Sequence, residues 1–217
     1  MTTEANSKIG FNYLKSIRQG LIHPIRNLKN LLDTKGAFLE VLVSDQYRWL
    51  YEQIKPDTVL IDLGAHIGDS AFYFASNRNI TKIMAYEPTE RLFAESQKLL
   101  GYSPYKDKIF FYNLAVTHDG DKPTTAYDNG NDARATTLTE VLSKLRNVAI
   151  KCDIEGEELH LFDSSDLSNV YAIMLETHNM VHDKVKAALE RKGFDVNMKG
   201  DSPNRLLTAQ RRIKKVD

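Results

Sequence analysis

The sequence predicts an α/β domain: a doubly wound, mostly parallel seven-stranded sheet closed by a C-terminal antiparallel hairpin. Three observations carry this expectation. Residues 59–75 change period halfway, from an apolar β-branched run to helical spacing, with Gly64 and Gly68 between the two. Further apolar runs of strand length follow at intervals, and several end in an acidic residue: Asp62, Glu87, Asp153 and Glu176. Near the end, Phe194–Met198 and Leu206–Thr208 flank a turn-rich Lys-Gly-Asp-Ser-Pro-Asn link, the pattern of an antiparallel pair.

In chain order, Leu14, Ile17, Leu21, Ile25, Leu28 and Leu32 recur every three or four positions, and Gly20 and Pro24 divide them into two short helices. Residues 1–43 are read as a helical extension, packed on the domain or against a second copy of the chain, and residues 44–217 as the main domain. Phe38–Val43 suits a strand or a helical piece equally. Ser44 or Asp45 caps a helix running to about Ile54, which Pro56-Asp57 ends.

Val59–Leu63 then has the composition of a strand buried on both faces, and Ser70–Ala75 that of a helix packed back on it. Lys82–Tyr86 is the next strand. Glu90–Leu100 has helical spacing and is followed by Gly101, and Ile109–Val116 is the third strand. Residues 117–135 are polar and long enough for a functional loop. A helix capped by Thr136 or Thr137 carries Leu138, Val141, Leu142 and Leu145. Val148–Cys152 and Val170–Leu175 are strands, and Lys184–Arg191 is a helix stopped by Gly193. In such a sheet ligands bind at the carboxyl ends of the strands.

The turn after the first strand narrows the ligand. A dinucleotide fingerprint needs Gly-x-Gly-x-x-Gly, and its second glycine is His66 here; the turn reads Asp-x-Gly-x-x-x-Gly instead. Asp62 at the strand end suits the turn's amides or a cationic amino-acid group and would repel a pyrophosphate. Glu87 lies 23 positions beyond Gly64, where an acidic residue at the tip of the second strand binds a ribose diol. Both point to S-adenosylmethionine, which carries an ammonium and a sulfonium. Asn113 and Ala115 fall where such a sheet places groups beside the adenine. The cofactor-binding candidates are Asp62, Gly64, Ala65, His66, Gly68, Glu87, Asn113, Ala115 and Asp153.

Composition fits a globular protein: 42% of residues are hydrophobic and 27% charged. No apolar run reaches the roughly 18 residues a membrane span needs, so a cytoplasmic protein is expected. A single cysteine, Cys152, precludes a disulfide within the chain. The net charge of zero hides basic ends: residues 1–32 and 203–217 each carry +4, leaving −8 between them. No basic stripe interleaved with aromatics marks a nucleic-acid site.

Ile61–Asp69, Tyr86-Glu87-Pro88, Asn113–Val116, Ile150–Glu158, Leu175–His178 and Gly193-Phe194 together resemble the FkbM-type S-adenosylmethionine-dependent methyltransferases. The Lys-x-Asp-x-Glu-Gly-x-Glu element beginning at Lys151 is the most specific of these matches. Family members usually carry Asn where this chain has His66. The resemblance implies a class I methyltransferase (Rossmann-like) fold and methyl transfer to a hydroxyl on a sugar or polyketide-like small molecule. Neither a nucleic acid nor a membrane is expected as partner.

Methyl transfer from a sulfonium is an in-line displacement, and an alcohol acceptor needs a base for its proton. Asp153, Glu155 and Glu158 at one strand end, with Glu176 and His178 at the next, are expected to be neighbours. Asp153, His178 and Glu155 are the catalytic candidates, with Asp153 the first choice of base and His178 the second. The same cluster could hold a divalent cation, Mg²⁺ or Mn²⁺. A non-catalytic cofactor-binding protein of the same fold is the first alternative, and an NAD-linked oxidoreductase the second.

Overall fold

The computed structural model describes residues 46–118, 133–154, 156–178, 180–200 and 205–212. The expectations for residues 1–45, most of the 117–135 loop, Glu155, residues 201–204 of the hairpin link and the last five residues lie outside these.

The elements in order are α1 (Arg48–Gln53), β1 (Thr58–Leu63), α2 (Asp69–Ala75), β2 (Ile80–Tyr86), α3 (Glu90–Gly101), β3 (Ile109–Tyr112), β4 (Ala115–Thr117), β5 (Ala135–Thr137), α4 (Leu138–Leu142), β6 (Val148–Cys152), α5 (Glu158–Ser164), β7 (Val170–Thr177), α6 (His182–Arg191), β8 (Phe194–Lys199) and β9 (Arg205–Arg211). The main sheet has seven strands in the order β3-β2-β1-β6-β7-β9-β8. All neighbours pair in parallel except β7 with β9 and β9 with β8. This is the predicted doubly wound sheet with its antiparallel hairpin. The order reverses between β1 and β6, so the carboxyl ends of these two strands border the crevice where such folds bind ligands.

Alternate residues of the central strands serve two cores. Leu60, Ala149, Ala172 and Met174 face a cluster with Leu50, Phe72 and Phe74 of α1 and α2. Ile61, Leu63, Ile150, Ile173 and Leu175 face Leu142, Phe162, Val185 and Leu189 of α4, α5 and α6. The period of two along each strand therefore sandwiches the sheet between helices, and burial of both faces accounts for its nearly continuous apolar sequence.

Four details differ from the sequence reading. The third strand stops at Tyr112, because the Asn113 side chain donates to the carbonyls of Glu87 and Pro88 at 3.0 and 2.9 Å and turns the chain. Ala115–Thr117 leaves the main sheet and pairs in parallel with β5 across the start and end of the expected loop. Gly101 is the last residue of α3 rather than a left-handed cap, and Tyr102 follows as C-cap. Helix α5 was not read from the sequence at all, since its seven residues offer little periodicity. Between the two caps proposed for α4, Thr137 is the one used: its side chain accepts from Glu140 N, and the Glu140 carboxylate accepts from Thr137 N, a capping box.

Gly64 occupies the left-handed region, with φ of +70°, and a Cβ there would lie 1.7 Å from the Asp153 carbonyl oxygen. The glycine thus serves the close passage of β1 past the end of β6. Gly64→Ala is expected to cost at least ~2 kcal/mol, combining left-handed strain with a backbone clash. Urea denaturation measures this, and an unchanged midpoint would refute the packing.

Candidate functional site

Three loops meet at the carboxyl ends of β1, β2, β6 and β7. The first is the turn from Gly64 to Gly68. It is sharply bent, with positive φ at Gly64, His66 and Gly68 of +70°, +50° and +95°. Its amides are largely used within the protein: Gly64 N and Ala65 N donate to Tyr86 O, Gly68 N to Ala65 O, and His66 N to Glu87 Oε2 at 2.9 Å. The turn is therefore not an open nest of N–H groups for a phosphate. The turn follows the expected strand-to-helix path, and its glycines are closely packed, Gly64 against Asp153 and Gly68 against Phe111 and Phe72.

Beneath the turn lies a buried charge network. Asp62 and Lys151 are register partners on the adjacent parallel strands β1 and β6, so both side chains project from the same face of the sheet. Lys151 Nζ stands 3.2 Å from Asp62 Oδ1, with the Lys151 side chain 4% exposed and that of Asp62 0%. It donates to the carbonyls of Gly64 at 2.7 Å and Leu63 at 3.4 Å, and so fastens the start of the turn. Asp62 Oδ2 accepts from Ser70 Oγ at 2.5 Å, which ties β1 to α2. The Tyr47 ring, just before α1, covers Lys151 with its centroid 6.0 Å from Nζ. Burial alone would depress the lysine, but Asp62, Tyr47, Asp153 and Asp69 together hold its pKa above the ordinary value.

Asp69, the first residue of α2, is the second carboxyl of this network. Burial raises its pKa to about 7, with Lys151 pulling down and Asp62 pushing up. One ammonium balances one carboxylate, and among the described residues no Lys or Arg forms an ion pair with Asp69. His66 Nδ1 lies 3.9 Å from its Oδ1. Burial in turn depresses the His66 imidazole, against the pull of Glu87.

Glu87 is buried at the end of β2 and joins the turn to the next loop. One carboxylate oxygen accepts from His66 N, the other from Thr89 N, each at 2.9 Å. A carboxylate oxygen can accept two hydrogen bonds, so each retains capacity for a ligand hydroxyl. Asn113 stands beside it, bound to the Glu87 and Pro88 carbonyls, and Ala115 is buried with its N–H donating to Arg134 O.

The third group gathers at the ends of β6 and β7. Asp153 N donates to Leu63 O, which holds this loop against β1. His178 Nδ1 is 2.8 Å from Glu158 Oε1, while His178 Nε2 faces Asp153 Oδ1 at 3.8 Å and Glu176 Oε1 at 3.9 Å. The expected neighbours Asp153, Glu158, Glu176 and His178 are thus brought together, and Glu155 lies outside the described residues. His182 opens α6 and pairs with Thr177 Oγ1 at 2.6 Å. Among the described residues no group of three His, Cys, Asp or Glu side chains is arranged to hold a metal ion. No described helix is long and apolar enough to cross a membrane.

Sequence reading missed Lys151, Ser70 and Asp69 as site residues, although Lys151 was legible. A lysine within the apolar run Val-Ala-Ile-Lys-Cys needs a carboxylate on a neighbouring strand, and Asp62 is the one at matching height.

The Asp69 carboxyl makes stability depend on pH. Its folded pKa is raised above the unfolded value of 3.8, so the stability it contributes is present at low pH and is lost as pH rises toward about 7. Asp69→Asn removes this dependence. Between pH 5 and pH 8 the variant should gain ~1–3 kcal/mol relative to wild type. Urea denaturation at the two pH values tests it, and a constant difference would show that the carboxyl is already charged in the folded protein.

No family model matches the chain. No curated protein matches it either. Solved structures do. A putative tRNA (m1A22) methyltransferase from Streptococcus pneumoniae is 14% identical, aligns over 81% of this chain and 73% of its own, and gives a TM-score of 0.53. The B. subtilis M1A22 tRNA methyltransferase TrmK is also 14% identical, over 77% of this chain and 65% of its own, with a TM-score of 0.50. At these identities the likeness shows the fold alone: a class I S-adenosylmethionine-dependent methyltransferase fold, with its seven-stranded sheet and closing hairpin.

Proposed function

We propose that this chain is an S-adenosylmethionine-dependent methyltransferase of the FkbM type, acting on a hydroxyl of a sugar or other small molecule. The observation that carries the reading is the charge balance around the glycine turn. Asp62, Asp69 and Asp153 surround the single ammonium of Lys151, and Glu87 stands at the turn's edge. An excess of carboxylate suits a ligand bearing an ammonium and repels a pyrophosphate. Glu87, with one acceptor position left on each oxygen, fits a ribose diol.

S-Adenosylmethionine when bound supplies a methyl group on a sulfonium, which an oxygen displaces in line. The chain's own part is to hold the amino-acid end near Asp69 and the turn, hold the ribose at Glu87, and accept a proton at the ends of β6 and β7. Asp153 and His178 are the groups placed there. The acceptor would be selected by the N-terminal extension and the 117–135 loop, and the extension is also the segment suited to joining two copies. The tRNA substrates in the neighbours' names do not transfer readily. After β6 this chain reads Asp153-Ile154-Glu155-Gly156, not the Asp-Pro-Pro-Tyr type of motif common in nucleobase methylation, and its middle is acidic.

Calorimetry with S-adenosylmethionine, S-adenosylhomocysteine and NADH tests the reading. The first two should bind and NADH should not; preference for NADH would favour the oxidoreductase alternative. Glu87→Gln should weaken cofactor binding by roughly 10-fold or more, as expected for loss of charge-assisted hydrogen bonds. Turnover with hydroxyl acceptors should survive EDTA, and activity restored only by Mg²⁺ or Mn²⁺ would assign the proton's activation to a cation at Asp153 and His178. Binding without methylation of any acceptor would leave a cofactor-binding protein.

A further inference from the structure

We propose that Glu158 is a positioning residue that fixes the His178 ring so that Nε2, rather than the Asp153 carboxylate, accepts the proton of the acceptor hydroxyl. The proposal rests on the methyltransferase reading and deepens it.

Four observations support it. Glu158 is the first residue of α5 and fully buried, and a buried carboxylate is retained at a cost unless something pairs with it. Its Oε1 accepts from Gly156 N at 3.0 Å and lies 2.8 Å from His178 Nδ1. A carboxylate is an acceptor only, so this contact places a proton on Nδ1 and leaves the lone pair of the neutral ring on Nε2. That nitrogen faces Asp153, at the end of the strand that borders the glycine turn. The His178 side chain is only 9% exposed, so its orientation is set by this contact rather than by solvent.

The chemistry balances without a further reactant. As the hydroxyl oxygen attacks the methyl carbon, the new C–O bond forms. The C–S bond breaks, with its electron pair left on sulfur as a neutral thioether. The hydroxyl proton moves to Nε2. The resulting imidazolium is stabilised by Glu158 on one side and by Asp153 and Glu176 on the other, carboxylates that, among the described residues, face the ring from α5, the β6–α5 loop and β7. Asp153 then serves to stabilise the charged ring instead of taking the proton itself.

A merely structural role for Glu158, stapling α5 to the end of β7, would lower stability without touching the titration of His178. The test therefore reads the ring directly. Nitrogen-15 spectra of the full chain labelled at histidine, with His178 assigned through His178→Gln, should show neutral His178 protonated at Nδ1. A proton on Nε2 in the unaltered protein overturns the proposal. In Glu158→Gln the His178 titration midpoint should fall by at least about one pH unit, because the anion that favours the charged ring is gone. The acid limb of the kcat profile should move down with it, and kcat should drop roughly 10- to 100-fold while cofactor affinity holds. Glu158→Asp should recover part of both. An unchanged titration midpoint in Glu158→Gln, or a kcat loss with no shift of the acid limb, overturns the proposal. A wild-type chain that does not bind S-adenosylmethionine would remove the methyltransferase reading together with this one. Normal turnover in the wild type, with Glu158→Gln indistinguishable from it, removes this one alone.

Discussion

The pairing of Lys151 with Asp62 under the glycine turn is the constraint on which the rest of the strand-end architecture depends. Neither charge can leave the interior, since each sits on a central strand of a sheet covered on both faces. Such a pair adds little net stability, because desolvation offsets its attraction, but losing one partner strands the other at a cost of about 3–5 kcal/mol. What the pair contributes is geometry. The ammonium reaches two carbonyls at the start of the turn, and the carboxylate reaches Ser70 on the helix after it. Strand, turn and helix are thereby fixed to the neighbouring strand β6, whose end carries Asp153.

From that anchor the two halves of the candidate site follow. On one side the turn passes its His66 amide to Glu87, which orients a buried carboxylate at the tip of β2. On the other, the Gly64 backbone runs so close to the Asp153 carbonyl that no side chain fits between them, and the ends of β6 and β7 bring the Asp153, Glu158 and His178 group beside the turn. The distribution of charge among the described residues is uneven in a useful way: the turn side has more carboxylates than cations, whereas at the β7 end an imidazole lies among the carboxylates of Asp153, Glu158 and Glu176. The first arrangement favours a cationic ligand, and the second favours holding a proton.

The sheet was legible because its strands, buried on both faces, spell out apolar runs, and the acids that follow them mark its carboxyl edge. Glu87 could be placed by its distance from Gly64, and the Asp153–His178 neighbourhood by strand order alone. The sequence was less informative where side-chain hydrogen bonds decide the path. Asn113 ends β3 early through contacts with carbonyls 25 and 26 positions away, which no local pattern encodes. Glu158 reads as one of several acids in a polar run, and only the fold reveals that it is buried against His178. The glycines carry a second meaning that their spacing does not spell out, since their missing side chains also make room for Asp153 and Phe111.

The central dependence is tested most directly by a double-mutant cycle on the buried pair, using Lys151→Met and Asp62→Asn, with stability measured by urea denaturation. If the pair holds the turn, each single variant is strongly destabilised, and the double variant is more stable than the sum of the two losses implies, by a coupling of ~1–3 kcal/mol. Losses that simply add, within ~0.5 kcal/mol, would mean that the two charges act independently and that the turn is held by something else.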